Sequence, residues 1–210
     1  FAFLGALFTT IIIILLSKKI GTSKVNIILI GIAITTLLNA GISFISLLDT
    51  DVISTYNYFS IGGLSGISFE QLIVPSILIA MASIVSFVIS HKLEVLTLGD
   101  DVAGSLGIKV KALRIGALIL ASFLAASVVS FAGLLGFVGL IVPHITRKIV
   151  GNKPKLVICF SMLIGSILVV LADLFGRVIF APTEIPVGIV MSVIGAPFFL
   201  ILLLRGNRHA

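Results

Sequence analysis

Asp173 and Arg177 are the ionisable residues that reach furthest into an apolar run, and they stand four apart. On a helix this spacing puts a carboxylate and a guanidinium on one face, where they can pair. Charges within a membrane segment are functional by default, but a self-neutralised pair weakens that inference. Arg177 therefore has two readings. It is a structural partner of Asp173, or it is an outward-facing cation that receives a carboxylate from another protein. His144 follows Pro143 and reads as a residue that caps or packs a helix end, with proton relay or catalysis as the alternative. Glu184-Ile185-Pro186-Val187-Gly188 reads as a helix start, with an acid near the positive end of the dipole and Pro186 in the first turn. Gly195-Ala196-Pro197 marks a thin, kinked stretch that permits close helix approach or forms a pore wall.

Enzyme machinery is not visible among these residues. There is no GxxxxGK[ST] stretch to cradle nucleotide phosphates, no HExxH and no GxSxG. His91, His144 and His209 are not spaced as metal ligands, and the lone Cys159 in an apolar run reads as a packing residue. The chain is not expected to bind a cofactor or metal of its own.

The elements that must position these groups belong in a membrane. The 210 residues are 59% hydrophobic and 10% charged, with a mean hydropathy of +1.34. A soluble domain carries about 25% charged residues. The net charge of +6 sits in short clusters between apolar runs, a pattern of membrane topology rather than of nucleic-acid binding. The expectation is one all-α transmembrane domain over residues 1–210, a polytopic helical bundle.

Seven helical segments are expected: Phe1–Ser17, Val25–Leu48, Gln71–Ser90, Ile115–Phe131, the short Gly136–Val150, Leu156–Ala172 extended to Arg177, and Ile185–Leu204. Phe1–Ser17 reads as the tail of a span from a longer chain. Gly133, Gly136 and Gly139 stand three apart and lead into Pro143, His144 and the Arg147–Lys148 pair. They describe a short, glycine-packed helix that is broken near one end. Placing Lys18–Lys24 in the cytoplasm puts His91–Arg114, Arg147–Lys155 and Arg205–Arg208 there too. Thirteen of the 14 Lys and Arg are then inside and Arg177 is outside. Asp49, Asp51, Glu70 and Glu184 fall in outer loops, the longer of which is Asp49–Glu70. Within the inner loop His91–Arg114, the run Leu98-Gly99-Asp100-Asp101-Val102-Ala103-Gly104-Ser105-Leu106-Gly107 predicts a short amphipathic surface helix. Its acids lie at the N-terminus, Gly107 is at the C′ stop, and Val102, Ala103 and Leu106 share one face. Such a helix is a plain connector or a docking element for a cytoplasmic partner.

Four blocks together resemble one family. They are Gly136-Phe137-Val138-Gly139-Leu140-Ile141-Val142-Pro143-His144-Ile145-Thr146-Arg147, then Ala172-Asp173 with Arg177, then Glu184-Ile185-Pro186-Val187-Gly188, then Gly195-Ala196-Pro197-Phe198-Phe199. In order and spacing they are similar to the FecCD-type permease subunits of ABC importers for iron–siderophore, haem and vitamin B12. The resemblance covers essentially the whole chain and implies that it corresponds to the last seven spans of the family, without the first three. It implies a type II ABC importer permease in the cytoplasmic membrane of a prokaryote. It also implies a second permease copy or paralogue, two cytoplasmic ATPase subunits that carry ATP and Mg, and an extracytoplasmic solute-binding protein. Leu98–Gly107 would be the helix that couples to the ATPase, and Arg177 would meet an acid of the binding protein. The remaining motif residues, from Gly133 to Pro197, would be signature or pathway positions. Three departures concern loops: Phe59 stands where the family often has Trp, Glu94 where it often has Asn, and Asn152-Lys153-Pro154-Lys155 replaces an acidic–His–Arg pattern. An ion-gradient-driven secondary transporter is the rival reading, and an intramembrane enzyme using Asp173 or His144 is a weaker one.

Overall fold

The computed structural model describes residues 2–206 apart from 22 and 180; Phe1, Arg208 and His209 lie outside the described residues. The elements among them are nine α-helices: α1 Ala2–Ile20, α2 Lys24–Leu48, α3 Thr50–Ile61, α4 Phe69–Leu96, α5 Asp100–Ser105, α6 Val110–Ala132, α7 Val138–Val150, α8 Pro154–Ile179 and α9 Val187–Gly206. Five of these, α1, α2, α4, α6 and α8, are long and apolar enough to cross a membrane. At 13 residues, α7 rises only about 20 Å, short of a bilayer core about 30 Å thick. The chain is a multi-pass membrane protein. Most large apolar side chains on α2, α4 and α8 face outward, as expected where the surroundings are lipid or other helices rather than water.

The helices pack in a row in which α2 lies on α1, α1 on α6, α6 on α4 and α4 on α8, with α7 and α9 packed on α8 and on each other. α3 touches both α2 and α9, so the two ends of this row meet. Lys18, Lys19, Lys92, Lys109, Lys111, Arg114, Arg147 and Lys155 all fall at helix ends that alternate to one side, the basic end. The opposite end carries α3 and the α6–α7 and α8–α9 connections.

Two sequence expectations are corrected. The outer stretch Asp49–Glu70 is not a plain loop, since it contains α3. Asp49 caps that helix, its side chain accepting from the Asp51 N–H at 2.9 Å, and this satisfies one of the backbone donors a helix start leaves open. The glycines of the central signature do not line one helix either. Gly133, at φ +68, ends α6, Gly136 lies in the connection, and only Gly139 is helical. α7 runs through Pro143 unbroken. Proline removes the donor that the carbonyl of Gly139 would otherwise receive. One turn later Thr146, fully buried, donates its hydroxyl to the Val142 carbonyl at 2.8 Å and accepts from Ser161 of α8 at 3.2 Å.

Candidate functional site

The four motif blocks, scattered over more than sixty residues of chain, form one packed unit. Its buried centre is Ile141 of α7, Ala172 of α8, and Val187 and Met191 of α9, so each of the three helices contributes. Phe137, Val138, Ile145, Leu168, Val190 and Phe198 pack around them. His144 lies in the middle of α7 rather than at a helix end, and it meets the Phe198 ring edge-on at 6.0 Å between centroids, so it packs and does not cap. The Gly195-Ala196-Pro197 stretch is thin because Phe137 lies against it. A Cβ on Gly195 would overlap the Phe137 side chain. Phe137 itself has a left-handed φ of 62°, rare for a bulky residue. Pro197 sits inside α9, where it leaves the carbonyl of Val193 without its helical donor.

This contact yields a prediction. Gly195→Ala should destabilise the protein by about 1–3 kcal/mol through overpacking, and Phe137→Ala should recover part of that loss in the double variant. A coupling of about 0.5–3 kcal/mol between the two sites, read from thermal unfolding in detergent, is the expected result. Strict additivity would contradict it.

At the end away from the lysines, backbone groups from three connections knot together. Leu134 N–H donates to the Phe59 carbonyl at 3.1 Å, Gly63 N–H to Ala132 at 2.9 Å, and Gly188 N–H to Gly62 at 3.2 Å. Ile185 N–H donates to the Gly176 carbonyl at 3.1 Å, which fastens the α8–α9 connection onto α8. A Cβ at Gly62, Gly176 or Gly188 would overlap a backbone carbonyl oxygen of Leu134, Ile185 or Ile61 respectively. Glycine here permits the backbone contact, a role that sequence spacing does not reveal. A cleft of about 640 Å³ opens beside the knot, lined by Tyr58, Phe59, Ser65, Phe131, Glu184 and Pro186 among others.

The charged residues sit at this same end. Arg177 Nε donates to Asp173 Oδ2 at 2.8 Å, the expected one-turn pair. Arg177 Nη1 also faces Glu184 Oε1 at 3.6 Å. The other Glu184 oxygen accepts from Ser65 Oγ in the α3–α4 connection. Both readings of Arg177 thus survive in altered form, because it is paired internally and remains partly exposed. Pro186 immediately precedes the first residue of α9. Ser65 and Gly176 were not anticipated as site residues. The Gly62-Gly63 pair beside Ser65 signals a turn, but no spacing rule joins it to residues more than a hundred positions on.

At the basic end α5 forms as expected. Gly107, at φ +78, occupies the C′ position. Its N–H bonds the Gly104 carbonyl at 3.0 Å, and that of Ile108 bonds Ala103 at 3.0 Å, the paired pattern of a glycine helix stop. Gly99, at φ 120°, precedes the first turn, and Asp100 accepts from Arg114 Nη2 at 2.7 and 2.9 Å, tying α5 to α6. The expected shared face is corrected in one residue. Ala103 is fully buried, whereas Val102 and Leu106 are 43% and 64% exposed and Leu98 and Asp101 also face outward. At about 100° per residue Ala103 stands about 100° from Val102 and about 60° from Leu106, so it closes one edge of that sector while the other two residues stay open. Nearby, Arg147 lines a cavity of about 690 Å³ with Leu93, Thr97, Asn152 and Pro154.

The FecCD transport family matches residues 1–205. The chain is 36% identical over 204 residues to the Fe(3+)-citrate import system permease protein of Bacillus subtilis, covering 96% of this chain and 61% of that one. It is 33% identical over 209 residues to the hemin transport system permease protein of Yersinia pestis, covering 99% and 63%. The chain therefore spans about three fifths of the length of these relatives. A solved structure described as an inward-facing conformation of a transporter of the metal-chelate ABC type superposes with a TM-score of 0.86 at 28% identity, over 93% of this chain and 63% of that one. The motif blocks that meet around Ile141, Ala172 and Val187, the all-α membrane fold that holds them, and a family match along nearly its whole length place this chain in the FecCD transport family.

Proposed function

We propose that this chain is the permease subunit of an ATP-driven importer of an iron chelate. The observation that supports it most is the match of the family and of a metal-chelate ABC transporter over nearly all of the chain. The relatives named above carry ferric citrate and hemin, which favours an iron chelate over vitamin B12 as cargo. The protein lies in the cytoplasmic membrane of a prokaryote, with its basic end inside, as the distribution of Lys and Arg favours. It works with a second copy or paralogue of itself, two cytoplasmic ATPase subunits that bind ATP and Mg, and an extracytoplasmic solute-binding protein.

The chain makes and breaks no bonds. α5 presents Val102 and Leu106 to the ATPase, and closure of the ATPase pair moves α5. Because α5 is tied to α6 through Asp100 and Arg114, that movement passes into the bundle and shifts it between outward and inward access. At the other end Arg177 offers a cation to an acidic residue of the binding protein. The motif positions from Gly133 to Pro197 hold the packing that the movement deforms.

Uptake into proteoliposomes tests the reading. The full-length permease with its ATPase, given ferric citrate or haem on its binding protein, should accumulate cargo only with internal ATP and independently of ionophores. Accumulation driven by an imposed proton or sodium gradient without the ATPase would favour a secondary transporter instead.

A further inference from the structure

The docking cation is already partly occupied, and its two occupants are unequal. Asp173 is one turn away on the same helix, holds Nε at 2.8 Å, and its side chain is 21% exposed. Glu184 comes from the α8–α9 connection, stands 3.6 Å from Nη1 and is 50% exposed. Asp173 therefore makes a direct charge-assisted hydrogen bond, whereas Glu184 makes a longer ion pair open to solvent. Ser65 holds Glu184 in this position by donating its hydroxyl to the other carboxylate oxygen.

One cation and two carboxylates leave this cluster with a formal charge of −1. An acidic side chain from outside would be the third anion around one guanidinium. Asp173 orients the guanidinium from below and cannot leave without abandoning a one-turn pair. Glu184 is the group that can yield.

We propose that Glu184 is an internal competitor for Arg177, occupying its outward edge until a carboxylate of the binding protein displaces it. Glu184 sets the affinity and the salt dependence of docking, and Ser65 holds it in the occupying position. Displacement also frees a residue of the connection just before α9, which starts at Val187, so docking loosens the connection that leads into the motif unit. This inference rests on the proposal that Arg177 is the docking cation.

Affinity measurements on the full-length transporter with its ATPase in nanodiscs test it. The probe is the purified solute-binding protein encoded with this transporter. Glu184→Gln keeps an oxygen that can accept from Ser65 but removes the competing charge. It should tighten binding about twofold to fivefold at low salt, the range of an exposed ion pair, and the gain should shrink at high salt. Ser65→Ala should tighten binding in the same direction. Arg177→Gln should weaken binding and abolish the effect of Glu184→Gln. If Arg177→Gln weakens binding while Glu184→Gln and Ser65→Ala leave it unchanged or weaker, Arg177 docks the partner and the competition is overturned. If Arg177→Gln has no effect at any ionic strength, the docking role falls and the competition with it.

Discussion

Replacing Val102 or Leu106 with aspartate is expected to abolish association with the ATPase and to reduce ATP-driven uptake to background. Val102 lies within α5 and Leu106 is its C-cap, and both side chains face outward at the basic end. An exposed valine and leucine on a short helix and its cap gain nothing for the isolated chain. Buried against a partner, each contributes about 1.5–3 kcal/mol. Aspartate forfeits that term and also places a carboxylate in an apolar contact, where a charge without a partner costs several kcal/mol more. The sum exceeds the roughly 2.8 kcal/mol that corresponds to a hundredfold change in affinity. The fold of the permease should survive, because α5 is held by its glycine stop and by the Asp100–Arg114 bridge, not by these two residues. Co-purification of the detergent-solubilised complex checks the outcome. Leu106→Asp complexes that co-purify normally would show that α5 is only a connector. Ala103→Asp is a poor test of docking, because Ala103 is buried within the permease and its replacement would disturb the fold itself.

The length and apolar character of α1, α2, α4, α6 and α8 were legible because a bilayer imposes about 20 apolar residues on each span, and the match between Lys/Arg clusters and alternate helix ends followed. α3 was hidden because Thr50–Ile61 mixes polar and aromatic residues and is followed by Gly62-Gly63. Its periodicity was nevertheless present. Val52, Tyr56, Phe59 and Ser60, at the spacing of one helical face, are the residues it half-buries. The Asp173–Arg177 pair was legible because its partners are four apart. The contacts of Glu184 with Arg177 and of Ser65 with Glu184 were not, because they form across connections that no local rule relates. The same holds for the signature glycines. Spacing by three suggested a helix face, whereas Gly133 has a positive φ and lies against Phe59. A glycine that permits a turn and a glycine that permits helix packing look alike in sequence.

Gly188 separates those two roles by experiment. It lies in the first turn of α9, where intrinsic propensity favours alanine over glycine by about 1 kcal/mol. A Cβ there would overlap the Ile61 carbonyl oxygen and would approach Gly62 O at 3.1 Å. The obstruction is backbone, which cannot rotate aside as a flexible side chain can. Overpacking of this kind costs about 3 kcal/mol or somewhat more. Separating the chains also stretches the Gly188 N–H bond to Gly62, worth about 1 kcal/mol. The clash and the lost bond outweigh the propensity gain, leaving a net loss of about 3 kcal/mol. For a chain of this size that corresponds to a fall of about 6–12 °C in Tm. Gly31→Ala and Gly41→Ala in α2 are the matched controls. Nothing lies within 4 Å of the added Cβ at either position, so propensity alone acts and the protein should be unchanged or slightly stabilised. Thermal unfolding of the three variants in one detergent decides the matter. Gly188→Ala melting as high as the α2 variants would mean that the backbone of α3 yields freely, and that the knot joining α3 to α9 does not hold the motif unit in place.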